Sequence, residues 1–299
     1  MNIKSGFIAL GVIAGSVLLT GCNLDKGESI TFADVTLCNL VIPSDASSEV
    51  TAQSNVKYKI EYNLGEGKVS VSSDVMKVGG AEMSLTSNPM TFSEKVSTVG
   101  YARNFKGTGK MSNGDNVCNL TGAESTLFYY YPTVVPGVIG VSQINNRLCL
   151  SYEIGDDYTV KTFGRDLFFM GETILHSSAP GQQGASFTWK KAVYRLYFAE
   201  NMKTATVVVY NITFAEGMPE LEAMCLENLD VTYSPAGYTV SGKNVVPKVM
   251  MKGNVSSVDS YLFNDFRLQS TGEMLTKCIC NYTVSGVFNV SFEGQYMEY

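Results

Sequence analysis

Histidine and tryptophan are almost missing: the 299 residues hold one of each, His176 and Trp189. A single imidazole argues against His-cluster metal centres and leaves any Ser-His-Asp arrangement dependent on His176 alone. That residue stands in Leu175-His176-Ser177-Ser178, a loop-like stretch where a solvated imidazole is the expectation. Clustered cations are missing too. The 22 Lys+Arg against 28 Asp+Glu give a net charge of -6, which disfavours a nucleic-acid surface that must replace phosphate counterions. No Gly-x-Ser-x-Gly occurs. Gly107-Thr-Gly-Lys110 lacks the glycine spacing of a phosphate loop and is followed by Met111, so it reads as a hairpin turn. Asp156-Asp157 fall in a turn, where carboxylates cap backbone. The sequence therefore offers no catalytic residue, no metal site and no cofactor site. Hydrophobic residues at 45% against 17% charged nevertheless supply a core and exclude wholesale disorder.

Long apolar runs are scarce as well, and the one that exists is too short to span a bilayer. Phe7 to Leu19 follows Lys4 and carries no charge. As a helix it rises about 20 Å against about 30 Å of hydrocarbon, the proportion of a signal segment. It ends in Leu19-Thr20-Gly21-Cys22, which resembles the lipobox of bacterial lipoproteins. That resemblance implies a diacylglycerol thioether on Cys22, cleavage before it and acylation of the new amino group. Residues 1–21 are then a lipoprotein signal peptide and 22–29 a polar tether, with the membrane as partner through the lipid anchor. Asn23 in place of Asp removes the best-known inner-membrane retention signal. The expected location is the outer membrane, on its periplasmic face or at the cell surface.

Six cysteines remain besides Cys22: Cys38, Cys118, Cys149, Cys225, Cys278 and Cys280. An even number outside the cytoplasm permits up to three disulfides or none. Cys278-Ile279-Cys280 is half of a metal motif without a second half, and a strand would put both thiols on one face.

The chain repeats itself. Phe32 to Cys38 matches Phe169 to Leu175, and Tyr58-Lys-Ile-Glu-Tyr62 matches Tyr194-Arg-Leu-Tyr-Phe198. Lys68 to Val71 aligns with Lys203 to Val207, Met83 with Met218, Tyr152 with Tyr282 and Gly164 with Gly294. A separation that drifts from 137 to 130 positions is what a duplication with small loop deletions leaves. The implied β domains are 30–165 and 166–299.

Within each copy apolar residues alternate. Tyr58, Ile60 and Tyr62 lie between lysines and a glutamate; Leu148, Leu150, Tyr152 and Ile154 lie between Cys149, Ser151 and Glu153; Val290 and Phe292 lie between Asn289, Ser291 and Glu293. Period two means strands with one wet face. Gly65-Glu-Gly67, Gly79-Gly80, Asn113-Gly-Asp115, Gly155-Asp-Asp157 and Ala179-Pro-Gly181 mark turns. One helix is expected, over Pro219 to Glu227. The fold class is all-β: two tandem antiparallel barrels or sandwiches, each the size of a closed eight-stranded barrel.

The lipobox, the duplicated strands and phrases such as Tyr238-Thr-Val-Ser-Gly242 followed by Val245-Val-Pro247 resemble Bacteroidota lipoproteins of unknown function with tandem lipocalin-like domains. The resemblance implies a small apolar ligand or a glycan and no catalysis. A fibrillar-subunit resemblance, two β-sandwiches behind a lipobox, implies assembly instead. A hydrolase using two converging carboxylates is the third expectation. Leu127 to Tyr131 supplies candidate binding rings, and Met170, Met202, Met218, Met224, Met250 and Met251 supply candidate lining for an adaptable pocket.

Overall fold

The computed structural model describes residues 30–97, 100–131, 141–181, 183–215 and 217–295; the expected signal peptide, Cys22 and the expected tether fall outside them. The first copy comprises β1 (Ile30–Pro43), β2 (Thr51–Asn63), β3 (Lys68–Ser73), β4 (Met76–Val78), β5 (Ala81–Met83), β6 (Leu85–Ser87), β7 (Met90–Ser97), β8 (Gly100–Met111), β9 (Asn116–Tyr131), β10 (Val141–Ile154) and β11 (Tyr158–Phe163). The second comprises β12 (Asp166–Ser177), β13 (Ala185–Trp189), β14 (Val193–Phe198), β15 (Thr204–Ile212), β16 (Leu221–Ser234), β17 (Gly237–Val245), β18 (Lys248–Met251), β19 (Asn254–Ser257), β20 (Phe263–Thr271), β21 (Lys277–Val284) and β22 (Phe288–Gln295).

Each copy closes into an antiparallel barrel of eight wall positions, the architecture that the lipocalin-like resemblance implies. In the first, β1, β2, β3, β8, β9, β10 and β11 hold seven positions, and β6 and β7 together fill the gap between β3 and β8. In the second the ring runs β12, β14, β15, β16, β17, β20, β21, β22 and back to β12. Closure pairs backbone groups that an open sheet would leave exposed.

The duplication is visible strand by strand. Tyr58 and Tyr152 share a hydroxyl–hydroxyl hydrogen bond of 3.1 Å across the first lumen, and their counterparts Tyr194 and Tyr282 share one of 2.8 Å across the second. Two matches need correction. Val69 lies opposite Tyr62 and Ala205 opposite Phe198, so Lys68 is matched by Thr204 and not by Lys203. Tyr58 pairs with Val35 whereas Tyr194 pairs with Phe169, so Val35, and not Phe32, is the counterpart of Phe169. A slip of three residues reverses the face of every side chain, and the shared Phe-x-x-x-Thr spelling had hidden it.

Two further expectations are overturned. Pro219 to Glu227 is not helical: from Leu221 it is strand β16, whose two faces are both buried over Ala223 to Leu226. Burial on both sides replaces polar positions with apolar ones and makes a strand look like a helix. Gly107 to Lys110 lies inside β8, and the turn follows at 112–115.

Both lumens are filled by side chains. Tyr58, Tyr62, Tyr152 and Phe105 pack with Leu37, Ile60, Val71 and Leu150 in the first; Phe169, Tyr194, Phe263, Phe266, Tyr282 and Phe292 pack in the second. Each such ring contributes about 1.5–3 kcal/mol on burial. The β4–β5 hairpin plugs one end of the first barrel, where Met76 accepts hydrogen bonds from Asn39 and Tyr152, each 3.2 Å long. Phe214, Tyr261 and Phe288 cluster at one end of the second.

The remaining end of the second barrel abuts the outer wall of the first. Cys38, Leu40, Ile42, Cys149 and Phe163 point out of the first barrel into the apolar cluster of the second. The Phe163 ring lies 5.2 Å from Phe198 and 5.0 Å from Tyr238, and Cys38 Sγ lies 3.6 Å from Met202 Sδ. From Cys38 to Ile42 the outer face of β1 is therefore an interface, which explains why Leu37 to Ile42 is apolar apart from Asn39.

Candidate functional site

The expected site residues scatter. Cys22 lies outside the described residues, as do the side chains of the expected rings at 127–131. The methionines do not converge: Met202 and Met224 are buried in the second core, while Met170 and Met250 pack on an outer patch with Phe168 and Tyr210. No disulfide joins the six cysteines. Cys278 and Cys280 share the inner face of β21, and burial pushes both thiols up, which keeps them protonated and poor as ligands. Burial likewise pushes Cys38 up to about 12. His176 is in a strand, β12, and not in a loop; its side chain is exposed and pairs in register with Asn289.

Charge gathers at one end of the first lumen. Glu124, 2% exposed, accepts a 2.6 Å hydrogen bond from the Tyr62 hydroxyl and lies 3.8 Å from Arg103, which binds Glu94 at 2.5 Å. The guanidinium also sits 4.3 Å from the centroid of the Tyr62 ring. Burial raises the Glu124 carboxyl, opposed by Tyr62 and Arg103, with Glu94 raising it further. Two carboxylates do meet here, yet both face one guanidinium, so the arrangement is an ion-pair network across the lumen.

The outer surface is more accommodating. A polar groove of about 560 Å³ runs over β8, β9, β10 and β11, lined by Lys106, Asn119, Thr121, Ser151, Glu153 and Lys161, with Glu273 reaching in from the second barrel. A second hollow of about 510 Å³ adjoins it through Lys106 and Thr121 and is lined by Phe92, Phe105, Gly122 and Met274. Together they form one trough where the barrels meet, polar along one half and apolar along the other.

Local backbone features build this trough. Asn119 sits at the bulge where β9 slips against β10, with a left-handed φ of 48° that Asn tolerates, and its side-chain amide donates to Glu153 at 2.5 Å. Glycine at 122 lets the β9 backbone pass under the Phe105 ring; a Cβ there would enter the ring. Across the trough, Glu273 and Met274 ride on the β20–β21 turn, whose Leu275 has a φ of 56° and is fully buried. A left-handed leucine is strained and persists only where packing fixes it, here in the core between the barrels. Burial pushes the Lys161 ammonium below its ordinary value, and Glu273 opposes that shift. None of these residues carried a motif: the groove is made by alternate residues of four strands plus one turn more than a hundred residues away.

No protein-family model and no curated protein matches this chain.

Proposed function

We propose that the chain is a lipid-anchored envelope protein that binds a glycan in the inter-barrel trough and performs no chemistry on it. The observation that carries this reading is the union of the two hollows through Lys106 and Thr121. A sugar ring has an apolar C–H face and a rim of hydroxyls. Phe92 and Met274 suit the face, while Asn119, Ser151, Lys161 and Glu273 suit the rim. A ligand held inside a barrel finds less support, since aromatic side chains already occupy both lumens. Assembly by strand exchange finds less as well: both sheets close, and β13 and β19, short strands of 5 and 4 residues, each pair on one side.

Replacing Asn119 and Lys161 together with Ala removes hydrogen bonds at the trough, each worth about 1–3 kcal/mol. Affinity for oligosaccharides that bind the wild-type chain on a glycan array should fall at least about tenfold while the variant still melts cooperatively, at a midpoint lowered by placing Ala at the left-handed position 119. Undiminished binding by the variant would contradict the trough assignment. Anchoring has its own test. Cys22→Ser should shift the protein from the membrane to the soluble fraction, and continued membrane retention would count against lipidation.

A further inference from the structure

The polar groove has a counterpart on the second barrel. A hollow of about 340 Å³ lies on the outer wall formed by β20, β21, β22 and β12, lined by Asp265, Arg267, Asn281, Thr283, Asn289 and Ser291, with His176 at its side. Three of these strands are the duplicates of β9, β10 and β11, and the lining agrees rung by rung. In the first barrel Thr121 pairs with Ser151, and Ser151 with Lys161. In the second Arg267 pairs with Asn281, and Asn281 with Ser291. On the next rung Glu153 faces Thr159, where Thr283 faces Asn289. The bulge that presents Asn119 also has an analogue, a slip between Phe263 and Asp265.

We infer that this second groove is a second glycan site, so that one chain carries two related sites on equivalent walls and grips a repeating polysaccharide at two points. The inference rests on the glycan reading of the trough and extends it to a different part of the molecule.

Chemistry distinguishes the two sites. The first has two lysines and an apolar half; the second replaces them with Arg267, Asp265, two amides and His176. Thr283 donates a 3.0 Å hydrogen bond to the side-chain oxygen Oδ1 of Asn289, which fixes the orientation of that amide in the groove lining. Arg267 offers a planar fork of donors and Asp265 a pair of acceptors, a set that suits vicinal hydroxyls or a uronate carboxylate. Tyr282 is the one Phe, Tyr or Trp residue among the residues lining this groove, and its side chain is buried in the lumen, bonded to Tyr194. The second site therefore reads hydroxyl edges, and the first adds the apolar face. His176, exposed between β22 and β13, stands where the first barrel has Ile42, which packs into the inter-barrel core.

The test is a calorimetric titration of the full chain with chitohexaose, laminarihexaose and hexagalacturonate, using wild type, the trough variant Asn119→Ala/Lys161→Ala and the groove variant Asn281→Ala/Arg267→Ala. Thermal melting checks that each variant folds. Two ligands per wild-type chain, falling to one in either variant, is the expected result. The corresponding long polymer should then lose at least about tenfold in affinity with either variant, because two linked sites bind with avidity. One ligand per chain, lost only in the trough variant, overturns the second site and leaves the trough reading standing. One ligand lost only in the groove variant supports the second site and overturns the trough. Binding unchanged in both variants, or absent for all three probes and their polymers, overturns both.

Discussion

Glu124 is the residue whose placement is least expected of a barrel lumen. Its carboxyl is buried, hydrogen-bonded by Tyr62 and shared with Glu94 around Arg103. Burial raises its pKa above the ordinary carboxyl value of about 4.3, so the folded chain holds this proton more tightly than the unfolded chain does. A carboxyl raised in this way favours folding below its unfolded value and loses that contribution as pH climbs through its folded value. Glu124→Gln, which still accepts from Tyr62, removes the dependence. Urea midpoints of the variant should therefore gain on those of the wild type as pH rises from acid to neutral. A difference that stays constant with pH would contradict this account of the site. Tyrosine plays a quieter part. The Tyr58–Tyr152 and Tyr194–Tyr282 pairs satisfy polar groups that each lumen would otherwise leave stranded, and their repetition marks the two copies as one design.

Among the elements, strands with one wet face were the most legible. Tyr58 to Tyr62 and Val290 to Phe292 alternate in sequence and in burial, whereas Leu148 to Ile154 alternates in sequence alone, because Cys149 is buried against the second barrel and Ser151 is buried as well. Strands buried on both faces were not. β16 lost its alternation because Ala223 and Cys225 face an outer apolar patch while Met224 and Leu226 face the lumen, and a continuous apolar run carries no period to read. The turns at 65–67, 79–80, 113–115 and 155–157 were marked by glycine, and several of those glycines adopt positive φ. Gly107 to Lys110 misled for the opposite reason. Its glycines serve close packing inside β8, where a Cβ at Gly107 would strike Met90 and one at Gly109 would strike the β6 backbone. His176 misled as well, since His176-Ser177-Ser178 has the composition of a loop although His176 is exposed and Ser177 buried at the end of a strand.

At the scale of the molecule, the repeat forecast two barrels and said nothing of how they join. The junction uses an apolar outer face on the first copy, built from Cys38, Leu40, Ile42 and Phe163, to close one end of the second. Their spacing in sequence equals that of lumen-facing residues, so nothing short of the fold could tell outward from inward. The trough follows from the same junction, since Glu273 and Met274 are carried onto the first barrel by a turn of the second. Binding on an outer wall and not within a lumen is the central claim, and hydrogen–deuterium exchange with a bound oligosaccharide addresses it most directly. Protection should appear in the segments holding Asn119 to Thr121, Ser151 to Glu153 and Thr159 to Lys161, together with the 272–276 turn. Protection confined to the β4–β5 plug and the strand ends around Tyr62, Arg103 and Glu124 would place the ligand inside the first barrel and contradict the account.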